Sequence, residues 1–375
     1  MLPIILNVPK FSLLGSTVLV RDERGLPTSA AAGGTILAPD TALTPGRYLV
    51  LVTRTADGGV GDGVTVDGFV FDGKVEDFVY PGADVFIDRV SDFRFTNNLV
   101  ERSAFGVNTR LASGAIQGNL LADNLEVGSI VTGGSLAHPA TVLIRANRAS
   151  RNGAHGIGCV VAGWIKLQTD PGQNTVALLE PLQATFDRNN PDDVENIPDT
   201  LRVTLDGNDV SDNGAPNSLG GIGIRVAGIW PDYDYTTIDP NQAVTSTLVA
   251  DVISNTCDRN GAYGIAIEAS DTRRSEPRRF IQNLAGNFEG NGFVGNDRAP
   301  ALFTFTYWLV SVGKTPQFSK KFAEASTFAI SDADNEFAVF DYDNPAADPI
   351  SGTVLGNKLL LNGVELAHGK SITPP

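Results

Sequence analysis

The amino-acid sequence predicts an all-β solenoid, a chain that winds into a rod of stacked coils with three short strands in each coil. Three observations lead to this prediction. Pairs of asparagines five residues apart recur along the chain, apolar and polar residues alternate around each pair, and Val, Ile and Thr are abundant. A fixed internal repeat marks a solenoid, and copies that lie as close as 22 residues apart, from Asn97 to Asn119, are too short for paired helices.

The repeat is clearest in two stretches of the chain. Residues 147–157 read N-R-A-S-R-N-G-A-H-G-I, and residues 255–265 read N-T-C-D-R-N-G-A-Y-G-I. Asn and Gly tolerate left-handed backbone at corners, and an inward-turned Asn bonds readily to the equivalent Asn one coil away, about 4.8 Å along the axis. We therefore expect ladders of buried amides. The pairs are Asn119/Asn124, Asn147/Asn152, Asn208/Asn213, Asn255/Asn260 and Asn357/Asn362, with looser copies at Asn97/Arg102 and Asn287/Asn291.

The pattern apolar-x-x-N-x-x-x-x-N-G-x-x-G-Ile resembles the repeats of right-handed parallel β-helices in the pectin-lyase-like superfamily. The resemblance covers residues 63–369, with interruptions. It implies the fold class: an all-β, right-handed parallel β-helix with Asn ladders and long loop insertions on one side. That superfamily includes polysaccharide lyases, glycoside hydrolases, uronate epimerases, phage tailspikes and surface adhesins, so the resemblance is specific for the fold and leaves the activity open. Export is usual among its members, which implies an extracellular or cell-surface location.

The chain divides into three parts along its length. Residues 1–62 are expected to form irregular N-terminal coils, residues 63–369 the regular β-helix, and residues 370–375 a polar tail. Most insertions begin just after the strand that follows the N-G turn, and equivalent points on successive coils lie above one another. The insertions are therefore predicted to crowd along one side of the rod, beside a binding groove. There are four of them: 164–199, 229–246, 271–278 and 297–340.

Charge and hydropathy exclude several kinds of partner. The net charge of −15 makes nucleic acid and anionic membranes poor partners. No run of 18 apolar residues occurs in the sequence, so no membrane-spanning segment is expected. Unpaired strand edges at a bare end of such a rod favour end-to-end or side-by-side self-association.

Aligning the copies on the second Asn places the side chains of the following strand in columns. Ile157, Ile222 and Ile265 are predicted to point inward, and two outward columns remain. The first outward column consists mainly of small residues, which leave a trough: Asn108, Gly158, Gly223 and Ala266. The second makes Arg225 and Glu268 neighbours on consecutive coils, and its members are Arg110, Val160, Arg225 and Glu268.

The second outward column supplies candidate substrate contacts. In polysaccharide-acting β-helices this strand face lies in the substrate cleft, so the resemblance implies that Arg110, Arg225 and Glu268 contact an acidic or neutral glycan. An arginine fork suits the carboxylate of a uronate. The alternative is that Arg225 and Glu268 form an exposed ion pair of little energetic weight.

A basic cluster around Arg273 and Arg274 stands out from the acidic background. It follows directly after Glu268 and Asp271, so it is predicted to overhang the same groove and to bind an anionic glycan. If the protein is an enzyme, the predicted catalytic residues are Glu268, Asp271 and Arg225.

His155 has two interpretations. The sequence G-A-H-G-I around it resembles the G-H-G of polygalacturonases, but the companion motifs of that group are missing. His155 also occupies the position that Phe105 and Tyr263 have in sister coils, where a flat ring packs at a corner. It is therefore either a structural ring or a substrate contact.

Acidic residues in the insertions suit a Ca²⁺ site or a pair of catalytic carboxylates. The motif D-A-D-N-E among them lacks the Gly and the spacing of an EF-hand loop, so no metal-ligating residue is assigned and Ca²⁺ binding stays an open alternative.

Two functions remain. The first is an extracellular β-helix that binds or processes a polysaccharide, as a lyase, hydrolase or epimerase, beside the insertion loops. The second is a non-catalytic surface adhesin or structural β-helix.

Overall fold

A computed structural model describes residues 4–40, 48–53, 61–74, 83–134, 139–162, 200–214, 221–229, 244–268, 280–292, 294–296, 299–304, 310–312, 315–317, 327–332, 339–341, 352–354 and 358–361. These residues form strands and turns, and they contain no helix of the length and apolar character needed to cross a membrane. The first fifteen strands are β1 (Ile4–Leu6), β2 (Ser12–Leu14), β3 (Leu19–Arg21), β4 (Pro27–Ala30), β5 (Thr35–Leu37), β6 (Tyr48–Thr53), β7 (Thr65–Asp67), β8 (Phe69–Asp72), β9 (Ala83–Asp88), β10 (Phe93–Thr96), β11 (Leu99–Glu101), β12 (Phe105–Arg110), β13 (Gly114–Gln117), β14 (Leu120–Ala122) and β15 (Val127–Thr132).

The strands of the second half follow the same order along the chain. They are β16 (Thr141–Arg145), β17 (Arg148–Ser150), β18 (His155–Ala162), β19 (Thr200–Asp206), β20 (Ile222–Ile229), β21 (Val244–Ile253), β22 (Tyr263–Glu268), β23 (Phe280–Glu289), β24 (Ala299–Thr304), β25 (Val310–Val312), β26 (Thr315–Gln317), β27 (Thr327–Asp332), β28 (Val339–Asp341), β29 (Gly352–Val354) and β30 (Lys358–Leu361).

Three long sheets wind together as a right-handed parallel β-helix, which confirms the predicted fold class. Sheet A has ten parallel strands in the order β1-β6-β9-β12-β15-β18-β20-β22-β24-β28. Sheet B has eleven, in the order β2-β7-β10-β13-β16-β19-β21-β23-β27-β30-β29, and sheet C has five, in the order β17-β14-β11-β8-β5. From β7 to β18 each coil adds one strand to sheet B, then one to sheet C and one to sheet A, as β10, β11 and β12 do, and in the later coils single bridges at Asp209, Thr256 and Gly292 continue sheet C. The apolar residues between the sheets form one continuous core.

The first ladder of asparagines lies at the corner between sheets B and C. The Nδ2 of each Asn donates to the Oδ1 of the next at 2.9–3.2 Å. Each backbone N–H donates to the same oxygen at 2.9–3.0 Å, so every rung has two hydrogen bonds. The members of this ladder are Asn98, Asn119, Asn147, Asn208, Asn255 and Asn291.

A second ladder lies at the corner between sheets C and A. Here the Nδ2-to-Oδ1 distances are 2.9–3.1 Å. The first position is held by a serine, whose backbone N–H donates to the Oδ1 of Asn124 at 3.2 Å. The members are Ser103, Asn124, Asn152, Asn213, Asn260 and Asn296.

The two looser copies of the repeat were placed wrongly by the sequence. The ladder positions are Asn98 and Ser103, one residue after the predicted Asn97 and Arg102. In the later coil they are Asn291 and Asn296, whereas Asn287 lies within β23. The reason is the corner geometry: a left-handed residue, with φ of 52–68°, stands immediately before every ladder position. At the first corner these are Asn97, Gly118, Ala146, Gly207, Ser254 and Gly290, and at the second Arg102, Asp123, Arg151, Asp212, Arg259 and Gly295.

A hairpin formed by β3 and β4 leaves the coils and runs along the first corner. Its arginines bind successive coils: Arg21 donates to Asn97 Oδ1 at 2.7 Å and to Gly118 O at 3.1 Å. Further along, Arg24 donates to Asp209 Oδ2 at 2.9 Å. The hairpin therefore ties together coils that are distant along the sequence.

The predicted insertion 297–340 was wrong as a single insertion, because β24, β27 and β28 within it continue sheets A and B. The other three fall mostly outside the described residues, but their attachment points are visible. Residues 163–199, 230–243 and 269–279 each lead from a strand of sheet A to the next strand of sheet B. The three segments therefore start and end at the same corner of successive coils.

Candidate functional site

The outer face of sheet A is the surface on which the sequence placed the candidate contacts, and its register differs from the predicted one. The aligned column runs through Asn108, Ile130, Gly158, Arg225 and Ala266. Arg225 therefore lies two residues from its predicted place, and the partner of Glu268 on β20 is Ala227. The prediction that Arg225 and Glu268 are neighbours across adjacent strands was wrong.

The same shift changes the partners of two isoleucines. Ile224 belongs to the core and aligns with Ile157 and Ile265, the partners predicted for Ile222. Ile222 instead aligns with His155 and Tyr263, and it packs in a separate cluster with Tyr263 and Ala266. The cause is the spacing before the strand. Ile222 lies nine positions after Asn213, whereas His155 lies three positions after Asn152.

Arg225 and His155 form the central contact of this face. Arg225 Nη1 lies 3.1 Å from His155 Nε2, across adjacent strands β20 and β18. A guanidinium only donates hydrogen bonds, so Nε2 of His155 accepts this one and is unprotonated in the contact. His155 is 6% exposed and Arg225 is partly exposed. The histidine therefore orients the guanidinium on the surface of the sheet.

The neighbours of Arg225 in its own column leave room for its side chain. Gly158 lies on one side of it and Ala266 on the other. A Cβ added to Gly158 would meet no atom closer than Ile130 Cγ1 at 3.6 Å, so the space above this glycine is open. The guanidinium can therefore extend across the neighbouring strand as far as His155.

The alignment of His155 with aromatic residues of other coils is confirmed. Its column contains Phe105 and Tyr263, with Val127 and Ile222 on the intervening coils. The sequence therefore found the right position for His155, but it missed the arginine that the histidine contacts.

Arg110 lies nearer the N-terminal end of the same face and is bound within the protein. Its Nε donates to Asp88 Oδ1 at 2.8 Å, and Arg89 Nε donates to the other oxygen of Asp88 at 2.9 Å. Asp88 is 1% exposed and Arg110 is 4% exposed. Burial raises the pKa of the adjacent Tyr48, with Arg110 opposing and Asp88 reinforcing the shift. These groups form a buried ionic network that is separate from the contact between Arg225 and His155.

Glu126 is a titratable residue that the sequence did not single out. Its backbone carbonyl accepts the N–H groups of Ala154 and His155 at 2.7 and 3.0 Å. Burial raises the pKa of its carboxyl above the ordinary value. Glu126 could have been found from the sequence, because the equivalent residues of two other coils are Ala154 and Ala262.

The remaining predicted site residues lie at or beyond the limit of the described side chains. Glu268 ends β22, where its backbone pairs with Ala227 and Thr304. Asp271, Arg273 and Arg274 lie outside the described residues. In the part of the chain that the structure describes, no three His, Cys, Asp or Glu side chains gather closely enough to hold a metal ion.

The comparisons with known proteins concern overall similarity only. No family model matches the sequence, and no curated protein matches it. Among solved structures, a variant of the periplasmic alginate epimerase AlgG is 14% identical over 71% of this chain and 55% of its own, with a TM-score of 0.32. ORF18 of Geobacillus virus E2 is 12% identical over 82% and 48%, with a TM-score of 0.35. The pectate lyase Pel9A is 13% identical over 70% and 68%, with a TM-score of 0.33.

The chain thus spans about half the length of the epimerase and of the viral protein. The β-helix fold follows from the strand pairing and the two asparagine ladders of this chain.

Proposed function

We propose that this protein binds or processes a polysaccharide along the outer face of sheet A, with an acidic glycan as the preferred ligand. The observation that carries the proposal is the contact between Arg225 and His155. A guanidinium held on the surface of a sheet, between two residues without bulk, suits the carboxylate of a uronate. Proximity to the shared corner of the three connecting segments provides walls for a groove.

Each proposed residue has a separate role in this function. Arg225 binds the uronate carboxylate, and His155 orients Arg225. Arg273 and Arg274 extend the cationic surface, because they follow β22, the strand beside β20. Glu268 and Asp271 are the proposed acid and base if the glycan is cleaved or epimerised. Arg110 remains a predicted contact, although its guanidinium is bound to Asp88.

A non-catalytic surface adhesin is the second candidate. Asp88 is a carboxylate on this face whose oxygens are both bound by arginines. The side chains of the proposed acid and base, Glu268 and Asp271, lie outside the described part of the chain. An exported location, which the family resemblance implied, fits both candidates.

A panel of polyuronates and neutral plant and algal glycans, each with and without Ca²⁺, distinguishes the candidates. Binding is measured by calorimetry, cleavage by reducing ends, elimination by the ultraviolet absorbance of unsaturated products, and epimerisation by NMR of the uronate protons. Product in any sample identifies an enzyme, and binding without product identifies an adhesin. A protein that binds none of these glycans contradicts the proposal.

The variant Arg225→Ala tests the site itself. Loss of a charge-assisted contact of about 2 kcal/mol predicts roughly thirtyfold weaker polyuronate binding, and no change for neutral glycans. The matched control is Arg145→Ala, which removes an exposed arginine from the outer face of sheet B and should leave binding unchanged. Equal affinities for wild type and Arg225→Ala would place the glycan elsewhere.

A further inference from the structure

Asp84 on β9 is a fully buried carboxylate that the proposed function does not use. It is 0% exposed, and in the described part of the chain neither of its oxygens has a well-formed hydrogen bond, although the Ser103 hydroxyl lies near enough to favour the charged form. Burial of a charged carboxylate without partners is costly, so such a group is expected to be neutral or to have a special role.

The register shows what stands in the place of Asp84 on other coils. Asp84 lies opposite Gly106, between the aligned pairs Ala83/Phe105 and Val85/Val107. Glycines occupy the equivalent position on the next four coils, and a Cβ at any of them would meet the Nδ2 of the second ladder on the following coil. The contacts are Gly106 with Asn124 at 3.2 Å, Gly128 with Asn152 at 2.9 Å, Gly156 with Asn213 at 2.8 Å and Gly223 with Asn260 at 2.8 Å.

The coil that contains β9 replaces this pairing of Gly with Asn by a pairing of Asp with Ser. The ladder position above Asp84 is Ser103, whose side chain is shorter than that of asparagine. The space that the ladder amide fills elsewhere is therefore available to the side chain of Asp84. An Asp carboxyl and an Asn amide have nearly the same shape, so Asp84 takes the place of a rung from the opposite side of the corner.

The surroundings of Asp84 favour its protonated form. Burial raises the pKa of its carboxyl well above the ordinary value, and the charges of Asp72 and Glu101 raise it further, while the Ser103 hydroxyl opposes the shift. Asp72 is itself bound by Arg102, which reduces the positive charge available to Asp84. The point where a Gly73 Cβ would stand is 2.6 Å from Arg102 O and 2.8 Å from Asp84 Oδ1. Oδ1 of Asp84 therefore lies beside Gly73, in a crowded part of the corner.

We propose that Asp84 is a neutral carboxylic acid in the folded protein, that it ends the second ladder in place of an amide, and that its deprotonation loosens the coil carrying β9. The sign follows from linkage. The folded state holds the proton more tightly than the unfolded state, so the stabilisation is complete below the ordinary carboxyl pKa and is lost as pH rises through the folded value. Each unit of difference between the two pKa values raises the unfolding constant by about tenfold.

The test compares the full-length wild type with Asp84→Asn and with the control Asp92→Asn. Asparagine keeps the shape of a protonated Asp and has no charge to lose. Asp92 is exposed and has a φ of 55°, which asparagine adopts readily, so the control removes a surface carboxylate without other change. The unfolding midpoint is measured by circular dichroism from about pH 4 to about pH 9, a range that spans a raised carboxyl pKa. Hydrogen-exchange protection factors are compared for peptides covering Ala83–Asp88 and His155–Ala162.

In the wild type and in Asp92→Asn, the midpoint and the protection of the β9 peptide should fall as pH rises, while the β18 peptide stays protected. In Asp84→Asn the unfolding midpoint and the protection of the β9 peptide should be nearly constant between about pH 4 and about pH 9. Near pH 9 both should exceed the wild-type values. Parallel curves for wild type and Asp84→Asn would overturn the proposal. If Asp84→Asn does not fold, infrared spectroscopy of the wild type decides: a protonated carboxyl band at neutral pH supports the proposal, and its absence overturns it.

Discussion

At the scale of single residues, the ladder amides determine where the chain turns. Asn152 shows the arrangement: its Nδ2 donates to Leu121 O at 3.1 Å and to Asn213 Oδ1 at 2.9 Å. Its Oδ1 accepts the N–H and the Nδ2 of Asn124 at 3.2 and 3.0 Å. A buried amide with all of these partners stabilises the corner, and a buried group that loses them destabilises it.

We expect Asn152→Ala to lower the free energy of unfolding by about 2–4 kcal/mol, because it removes the side-chain acceptor of the Asn124 N–H and the side-chain donor to Leu121 O and Asn213 Oδ1 in the interior. Urea unfolding monitored by circular dichroism measures the change. Asp92→Gly is the control, since it keeps a left-handed φ of 55° and removes an exposed side chain, and it should change stability by less than about 1 kcal/mol. Similar losses for both variants would mean that the ladder amides contribute little.

Two glycines of β18 make a second comparison at this scale. A Cβ on Gly156 would lie 2.2 Å from Val210 Cγ1 and 2.8 Å from Asn213 Nδ2, whereas one on Gly158 would meet nothing closer than 3.6 Å. We therefore expect Gly156→Ala to destabilise the protein by about 2–3 kcal/mol, and Gly158→Ala to be neutral or slightly stabilising. Thermal unfolding of both variants tests the difference, and equal midpoints would contradict this account of the glycine column.

At the scale of elements, the β3–β4 hairpin acts as a brace. Arg148 lies between its turn and the coils, donating to Asp22 Oδ2 at 2.7 Å and to Asp209 Oδ2 at 2.9 Å. Burial opposes the ionisation of Asp22, but hydrogen bonds from the Leu26 N–H, Arg148 and the Arg24 N–H hold its pKa below the ordinary value. This contribution is present above the ordinary carboxyl pKa and is lost as pH falls through the folded value.

We expect Arg148→Ala to cost about 1–2 kcal/mol at neutral pH, because it removes the cation between two partly buried carboxylates. The effect should shrink in acid, where Asp22 is protonated in both states. Arg145→Ala is the matched control three residues away, and its exposed pair with Asp206 should contribute less than about 0.5 kcal/mol. If Arg145→Ala is as destabilising as Arg148→Ala, the hairpin is not a brace.

At the scale of the whole molecule, stacking makes each coil depend mainly on its two neighbours. The polar groups of interest are therefore spread along the axis of the rod. Asp84 lies near the N-terminal end, the network of Asp88 and Arg110 spans the same coil and the next, and the contact between His155 and Arg225 is on later coils. A long ligand lying along sheet A would cross the last two positions, which suits a polymer better than a small molecule.

The same stacking explains how much of the structure the sequence predicted. Asparagine spacing predicted both ladders over most coils, since a side chain that must bond to its copy leaves a regular signal. The contact between His155 and Arg225 could not be predicted, because Ile222 lies nine positions after Asn213 whereas His155 lies three positions after Asn152, so counting along the sequence gives the wrong register. The predicted alignment was wrong by two residues. Side chains two residues apart lie on the same face of a strand, so Arg225 was predicted on the correct face but beside the wrong partners. Asp84 could not be recognised from the repeat, because the later coils have glycine at this position and its own coil therefore does not match the pattern.

The corners have a consequence for how such a molecule changes its length. Each coil enters and leaves both corners through a left-handed residue followed by a ladder position, whatever the identity of the first. A segment running from one such junction to the next, such as 119–146, therefore begins and ends with interchangeable joints. If this segment were duplicated or deleted, the new junction would again join a left-handed residue to a ladder position. The rod would become longer or shorter by one coil, about 4.8 Å.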